Sequence, residues 1–389
     1  MALVVTSEFP YPPDGGDKLS AYVYVRSLKS LGYCTDVLCF LSRGDSCNPK
    51  GYVRNVYAVQ KPPKLRVLSL ACSLLLGRSY LFERFKLTRQ GTRQVREING
   101  FGPYDVIIVL HPYLMSLVDA SSERCSRKIV ISAQVVESSA FRRKAALEHR
   151  FLRCILKREA AIAEREEVAT FGRVHRTLFY SPDEAKWYRL HGGTNGSYIP
   201  FGLDLDQYVV CPRQRHTRSR IVFYGTFSWH PNSDALRYLL SEVWPTVRLK
   251  SSDVELVIAG KEIPEWAQRY VGGNVSILGE VPSIAKFVSS SDIVIVPVRI
   301  GGGTRVKTLE AMALGRPVIS TTASLEGNDA IPGEEVLVAD TPEQFAEQIN
   351  AILSSGELWD RIAIGGRKYV EVHHDYRRVT VEALMNAVG

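Results

Sequence analysis

Apolar runs of strand length alternate with amphipathic stretches from one end of this 389-residue chain to the other, and that alternation restricts the fold more than any other feature. It belongs to parallel sheets wrapped by helices, because a parallel strand is buried on both faces and reads as an unbroken apolar run. In the first half the pattern predicts strands at Ala2–Thr6, Thr35–Leu41, Asp105–Leu110, Lys128–Ser132 and Arg176–Tyr180, with the first helix beginning near Asp17. A polar, basic stretch without periodicity, 211–219, interrupts it and reads as an interdomain linker. The same grammar restarts with Ile221–Tyr224, Val254–Ala259, Val275–Leu278, Ile293–Val296 and Val318–Ser320, and after Thr341 the chain reads helical almost to its end, with Pro342 in a first turn. The fold class is α/β: two Rossmann-like domains, 1–210 and 220–375, followed by a terminal segment 376–389. Ligands of such sheets bind beyond the carboxyl ends of the strands, where Gly15-Gly16, Gly225, Gly260 and Gly279 fall. Two facing sets of such loops imply a cleft between the domains.

Seven cysteines, at 34, 39, 47, 72, 125, 154 and 211, form no C-x-x-C pair and no metal-ligand spacing, so a reduced, cytoplasmic compartment is expected. No signal peptide is evident, and the longest apolar run, within Val67–Gly77, is well short of the roughly 20 residues that span a bilayer. A net charge of +8 favours an anionic partner. Nucleic acid is not expected, for want of a zinc finger, an RNA-recognition signature or a clear helix-turn-helix pattern. Within a helical stretch read as continuous from Ser138 to Val168, Arg143, Arg150, Arg153 and Lys157 share one face. That face is either simply solvated or a peripheral contact with the anionic inner face of the cytoplasmic membrane, helped by Lys61, Lys64 and Arg66.

The segment Gly301-Gly302-Gly303-Thr304-Arg305-Val306-Lys307-Thr308-Leu309-Glu310 puts a glycine turn, two cations and a carboxylate where a strand meets a helix. Glycines leave room for a phosphate, and the helix N-terminus offers unpaired N–H groups. Arg305 can grip phosphate oxygens in a fork, Lys307 adds a point charge, and Glu310 can accept from sugar hydroxyls. Taken alone, the same residues also suit an ordinary turn with exposed charges.

The chain resembles glycosyltransferase family 4, the retaining sugar transferases of the GT-B fold, and particularly its bacterial exopolysaccharide, capsule and O-antigen members. The resemblance spans nearly the whole chain. It is carried by Phe9-Pro10-Tyr11-Pro12-Pro13-Asp14-Gly15-Gly16-Asp17-Lys18, Ile199-Pro200-Phe201-Gly202-Leu203-Asp204, Phe223-Tyr224-Gly225-Thr226 through Pro231-Asn232, Val257-Ile258-Ala259-Gly260-Lys261, and 301–318. It implies a GT-B architecture, with a nucleotide-sugar donor bound mainly by the second domain, a glycan or lipid-linked glycan acceptor by the first, and the last helix crossing back to the first. By motif position Arg305 and Lys307 would hold the donor diphosphate and Glu310 the ribose. Gly15 and Gly16 would bring backbone N–H groups to the phosphate, the Gly279–Val281 loop would meet the base, and Gly225, Gly303 and Thr304 would complete the donor site.

Two departures stand out. The first Glu of the family's E-x7-E falls at Gly302, and the family's A-H-N-V-E-S reads Ala133-Gln134-Val135-Val136-Glu137-Ser138, so the histidine position holds Gln134. Glutamine can hydrogen-bond but cannot exchange a proton near neutrality. The resemblance implies transfer in which the leaving diphosphate takes the acceptor's proton, so catalysis falls to Arg305, Lys307, Gly16 and Gln134, with His111 as a further cleft candidate or a plain loop histidine. Glu137 is either a cleft carboxylate or the acidic start of a helix. No D-x-D motif closes a strand, so no metal and no cofactor are expected. A catalytically impaired nucleotide-sugar or glycan-binding protein, or a sugar-nucleotide 2-epimerase, stays open as an alternative.

Overall fold

The computed structural model describes residues 1–41, 51–60, 77–85, 104–119, 128–214, 217–300 and 304–389. Lys61, Lys64, Arg66, most of the 67–77 run and Gly301–Gly303 lie outside them. The chain forms two compact units, Met1–Gly202 with Tyr376–Gly389, and Leu203–Asp375.

The first unit is built on seven parallel strands: β1 (Ala2–Thr6), β2 (Thr35–Leu41), β3 (Val56–Gln60), β4 (Val106–Leu110), β5 (Lys128–Ala133), β6 (Arg176–Phe179) and β7 (Gly196–Tyr198), in the order β3-β2-β1-β4-β5-β6-β7. The central strands β1 and β4, A-L-V-V-T and V-I-I-V-L, are buried at every residue. Register pairs Val5 with Val109 and Leu110 with Ser132, so the chain leaves β1, β4 and β5 at one edge of the sheet. There Ser7, His111 and Gln134 begin the loops. The helix Gly16–Ser30 buries Leu19, Tyr22, Val23 and Leu28. The final helix, Tyr376–Val388, packs against it, and Lys128 Nζ donates to the carbonyls of Val388 and Gly389 at 2.7 and 3.0 Å.

The second unit repeats the plan with β8 (Ser219–Thr226), β9 (Val254–Lys261), β10 (Val275–Gly279), β11 (Ile293–Val296), β12 (Val318–Ser320) and β13 (Leu337–Val338), all parallel, in the order β10-β9-β8-β11-β12-β13. In both sheets the order reverses direction on either side of the first strand, the doubly wound arrangement of dinucleotide folds. Gly225 pairs with Gly260 across β8 and β9, and a Cβ on Gly260 would stand 1.9 Å from the Gly225 carbonyl oxygen. That contact, with a φ of 144°, requires glycine. The helix Pro342–Ser354 opens on a capping box, in which the Thr341 hydroxyl accepts from Gln344 N and the Gln344 side chain accepts from Thr341 N.

Three differences from the sequence reading have physical causes. The strands β3, β7 and β13 were not expected, because each lies at or beside a sheet edge and is short or only partly buried, without a long apolar run. The stretch 138–168 is two helices, Glu137–Leu147 and Arg150–Gly172, broken at Glu148 and His149, whose backbones are extended. The helices fold back on each other, so Arg143 does not share a helix with Arg150, Arg153 and Lys157. Finally, the units divide after Gly202 rather than near 210. Residues from Leu203 onward are tied to the second unit: Leu203 N donates to His374 O, Arg367 to Tyr208 O, Arg316 to the Cys211 and Pro212 carbonyls, and Arg213 pairs with Asp292. Among the described residues no helix is long and apolar enough to cross a membrane.

Candidate active site

In the second unit, three residues of one short segment converge at the carboxyl edge of the sheet. Arg305 stands at the N-cap of the helix Val306–Ala313 and is only 4% exposed. Its guanidinium donates to the Ile300 carbonyl at 3.4 Å and lies 5.6 Å from the Trp229 ring. Lys307, in the first turn, points back to the end of β8. Its ammonium donates to the Tyr224 carbonyl at 3.0 Å and to Asn232 Oδ1 at 2.7 Å, with the Phe223 ring 4.9 Å away. Burial, and next the positive charge of Arg305, pull the Lys307 pKa down to about 7, against the attraction of Glu310. One turn on, Glu310 Oε1 accepts from the Tyr208 hydroxyl at 3.1 Å and Oε2 from the Tyr224 hydroxyl at 3.3 Å. Burial raises its pKa to about 7, although both hydrogen bonds and Lys307 favour the charged form.

The structure therefore brings Arg305, Lys307, Glu310 and Gly225 together. A Cβ on Gly225 would meet Asn232 Nδ2 at 2.7 Å and Lys307 Nζ at 3.1 Å, so this glycine makes room for the lysine. Thr304 immediately precedes Arg305 and is partly exposed, while Gly303 lies outside the described residues. Gly279 ends β10 with a φ of 73°, and Val281 follows in the loop. With β10 next to β9 and β9 next to β8, that loop leaves the same edge as Gly225. Sequence reasoning missed Tyr208, Asn232 and Trp229, and it gave Tyr224 no role. Their one signal was the stretch from Phe223 to Asn232; Tyr208 had none.

The first unit holds a second polar cluster. His111 directly follows β4, is 5% exposed, and adopts φ 86° and ψ 137°, a conformation side-chain-bearing residues rarely take. Its ring stacks on Tyr113 at 4.9 Å, and Nε2 lies 3.5 Å from Asp17 Oδ2. Burial opposes protonation of the imidazole, but the carboxylates of Asp17 and Glu137 outweigh it and hold its pKa above the ordinary value. Glu137 is the first residue of its helix; burial, eased by His111 and reinforced by Asp17, raises its pKa to about 7. Glu167, raised by burial to about 8, caps the same helix by accepting from the backbone N–H groups of Glu137 and Ser138. Gln134 follows β5 with its Nε2 buried and without a hydrogen-bond partner. Gly15 caps the helix Gly16–Ser30 in an extended conformation, and a Cβ on either Gly15 or Gly16 would meet nothing within 4 Å.

Residues 218–355, which contain the whole of the Arg305 cluster except Tyr208, match the family model of glycosyl transferases group 1. Over 97% of both chains, the protein is 22% identical to an uncharacterized 44.6 kDa protein in the cps region of Klebsiella pneumoniae. Its fold is similar to that of sucrose-phosphate synthase from Thermosynechococcus elongatus, with TM-score 0.72 and 15% identity over 99% of this chain and 97% of that one. Anabaena HepE, solved in complex with UDP-glucose, gives TM-score 0.68 and 13% identity over the full length of both chains. WaaG, a glycosyltransferase involved in lipopolysaccharide biosynthesis, gives 0.69 and 16%, also over the full length of both. With a group 1 domain at 218–355 and two doubly wound units matching GT-B enzymes end to end, the chain is a glycosyltransferase of the GT-B fold.

Proposed function

We propose that the protein is a retaining, metal-independent hexosyltransferase of polysaccharide biosynthesis, which takes a nucleotide diphosphate sugar as donor and a glycan or lipid-linked glycan as acceptor. The observation that carries this reading is the placing of two cations side by side. Arg305 is almost wholly buried, and Lys307 is held by a carbonyl and an amide oxygen while its pKa is pressed down to about 7. Burying like charges together is costly, and a diphosphate would offset that cost by stabilising both. Arg305 and Lys307 would then neutralise the charge that develops on the leaving diphosphate, the task a divalent ion performs elsewhere. Glu310, with each oxygen already oriented by a tyrosine, is set to accept from the ribose hydroxyls. The UDP-glucose complex of HepE and the cps-region setting of the Klebsiella relative support the donor class and the polysaccharide role. In the first unit, Gly15 and Gly16 would present backbone N–H groups, and Gln134 would hydrogen-bond without exchanging a proton.

Thermal stabilisation by UDP-, GDP-, ADP- and TDP-sugars, with and without EDTA, tests the reading. The expected result is a rise in Tm for one nucleotide that survives EDTA and disappears in Arg305→Ala. Stabilisation that needs a divalent ion, or that persists in Arg305→Ala, would overturn the donor-site assignment.

A further inference from the structure

The lysine at the carboxyl edge of the second sheet is held without being neutralised. Lys307 Nζ donates to the Tyr224 carbonyl at 3.0 Å and to Asn232 Oδ1 at 2.7 Å, and among the described residues it makes no ion pair. Both acceptors are neutral, so they orient the ammonium and leave its charge uncompensated. The asparagine is itself fixed. It is 5% exposed, its Nδ2 donates to the Thr226 carbonyl at 2.9 Å, and its backbone N–H donates to the Trp229 carbonyl at 3.0 Å. The same turn reaches the neighbouring cation, since the Trp229 ring lies 5.6 Å from the Arg305 guanidinium. A carboxylate of the same size at position 232 would pair with the ammonium and cancel its field, whereas an amide fixes the position and leaves the field in place.

We propose that Asn232 is a positioning residue of the donor site, which aims the Lys307 ammonium at the diphosphate and, being an amide, keeps that charge available to it. The diphosphate rests on the glycosyl-transfer reading above; the hold of Asn232 on Lys307 stands without it. Asn232 acts through the lysine and not on the donor itself. The charged and titratable groups that face Lys307 are Arg305, which disfavours its proton, Glu310, which favours it, and Tyr224, whose ring lies 5.9 Å from Nζ and whose hydroxyl donates to Glu310.

The test is Asn232→Asp, which keeps the size of the side chain and supplies the carboxylate. Two quantities are measured in it and in the wild type: the titration of Lys307, by NMR of lysine labelled at its ε-carbon, and the Kd of UDP, GDP, ADP and TDP between pH 6.5 and 9. Lys307 should titrate at higher pH in the variant, because the new carboxylate favours the ammonium. Affinity for the preferred nucleoside diphosphate should fall about tenfold or more at pH 7 and should lose the decline that the wild type shows above pH 7. Asn232→Ala, which removes the bond to Thr226 as well, should also bind more weakly but retain that decline. A role confined to holding the turn would lower Tm and affinity at every pH and move neither the lysine titration nor the pH profile. If Lys307 titrates in Asn232→Asp as it does in the wild type, or if the variant binds the nucleoside diphosphate equally well, the proposal is wrong. A wild type that binds none of the four, with Lys307 still shifted in Asn232→Asp, would instead remove the glycosyl-transfer reading and keep Asn232 as the residue that positions Lys307.

Discussion

The Tyr208 hydroxyl donates to Glu310 Oε1 at 3.1 Å while the Tyr224 hydroxyl donates to Oε2 at 3.3 Å, so the carboxylate is held by two tyrosines that lie 102 and 86 residues away in sequence. An ionised carboxylate offers about four lone-pair sites, so each oxygen keeps room for one further donor, as the proposed ribose contact requires. Removing Tyr208's hydroxyl takes away a bond that favours the charged form. Tyr208→Phe should therefore push the Glu310 pKa further up and weaken donor binding near neutral pH by about 3- to 10-fold, in line with the net worth of one hydrogen bond. Equal nucleotide-sugar affinity in calorimetry would show that the tyrosine does not prepare this carboxylate.

Gly260 faces the Gly225 carbonyl across β8 and β9, with no space for a methyl group. Gly260→Ala should destabilise the second unit by about 3 kcal/mol or more, from overpacking and an unsuitable φ together. Gly225→Ala should act differently. Its Cβ would press on the movable ends of Asn232 and Lys307, with added strain from a φ of 157°, so donor KM should rise alongside a Tm loss smaller than that of Gly260→Ala. Steady-state kinetics and thermal denaturation on both variants separate the two effects, and an unaltered donor KM in Gly225→Ala would refute the second.

The parts of this architecture that were legible in the sequence are those where one stretch carries the whole signal. β1, β4 and β11 are buried throughout and so read as unbroken apolar runs. Arg305, Lys307 and Glu310 fall within two turns of one another, and the chemistry of their side chains could be read directly. What was hidden depends on distant partners. The Glu148–His149 break carries neither glycine nor proline, and β7 and β13 span only three and two residues. Nothing local marks Asn232 as the ligand of a lysine 75 residues away, or Asp17 as the carboxylate before His111.

Donor binding should consume protons. In the free protein Lys307 loses its proton as pH rises through about 7, because burial and Arg305 disfavour the ammonium. A bound diphosphate favours it, so at pH 8 binding should draw a proton from solution, and affinity should fall between pH 7 and 9. Calorimetry in phosphate and Tris buffers, whose ionisation enthalpies differ, would report this as buffer-dependent heat. Lys307→Met should abolish the dependence; a buffer-independent enthalpy in the wild type would mean that Lys307 keeps its proton throughout.

Stability of the first unit should also fall as pH rises, through different groups. Glu137 and Glu167 have folded-state pKa values raised by burial to about 7 and about 8, from 4.5. Between ~pH 4.5 and 8 the unfolded chain releases protons that the folded protein retains. The folded state then binds more protons, so stability falls as pH rises through this window and is fully present below it. His111, also raised, adds to the decline as pH passes its folded pKa. Lys307, whose pKa is lowered, contributes the reverse between 7 and 10.5, gaining stability as pH increases. Glu137→Gln removes one of the buried carboxylates while keeping its size. It should raise Tm at pH 8.5 relative to the wild type and change it little at pH 5, and parallel Tm–pH curves for the two proteins would contradict a buried, proton-retaining Glu137.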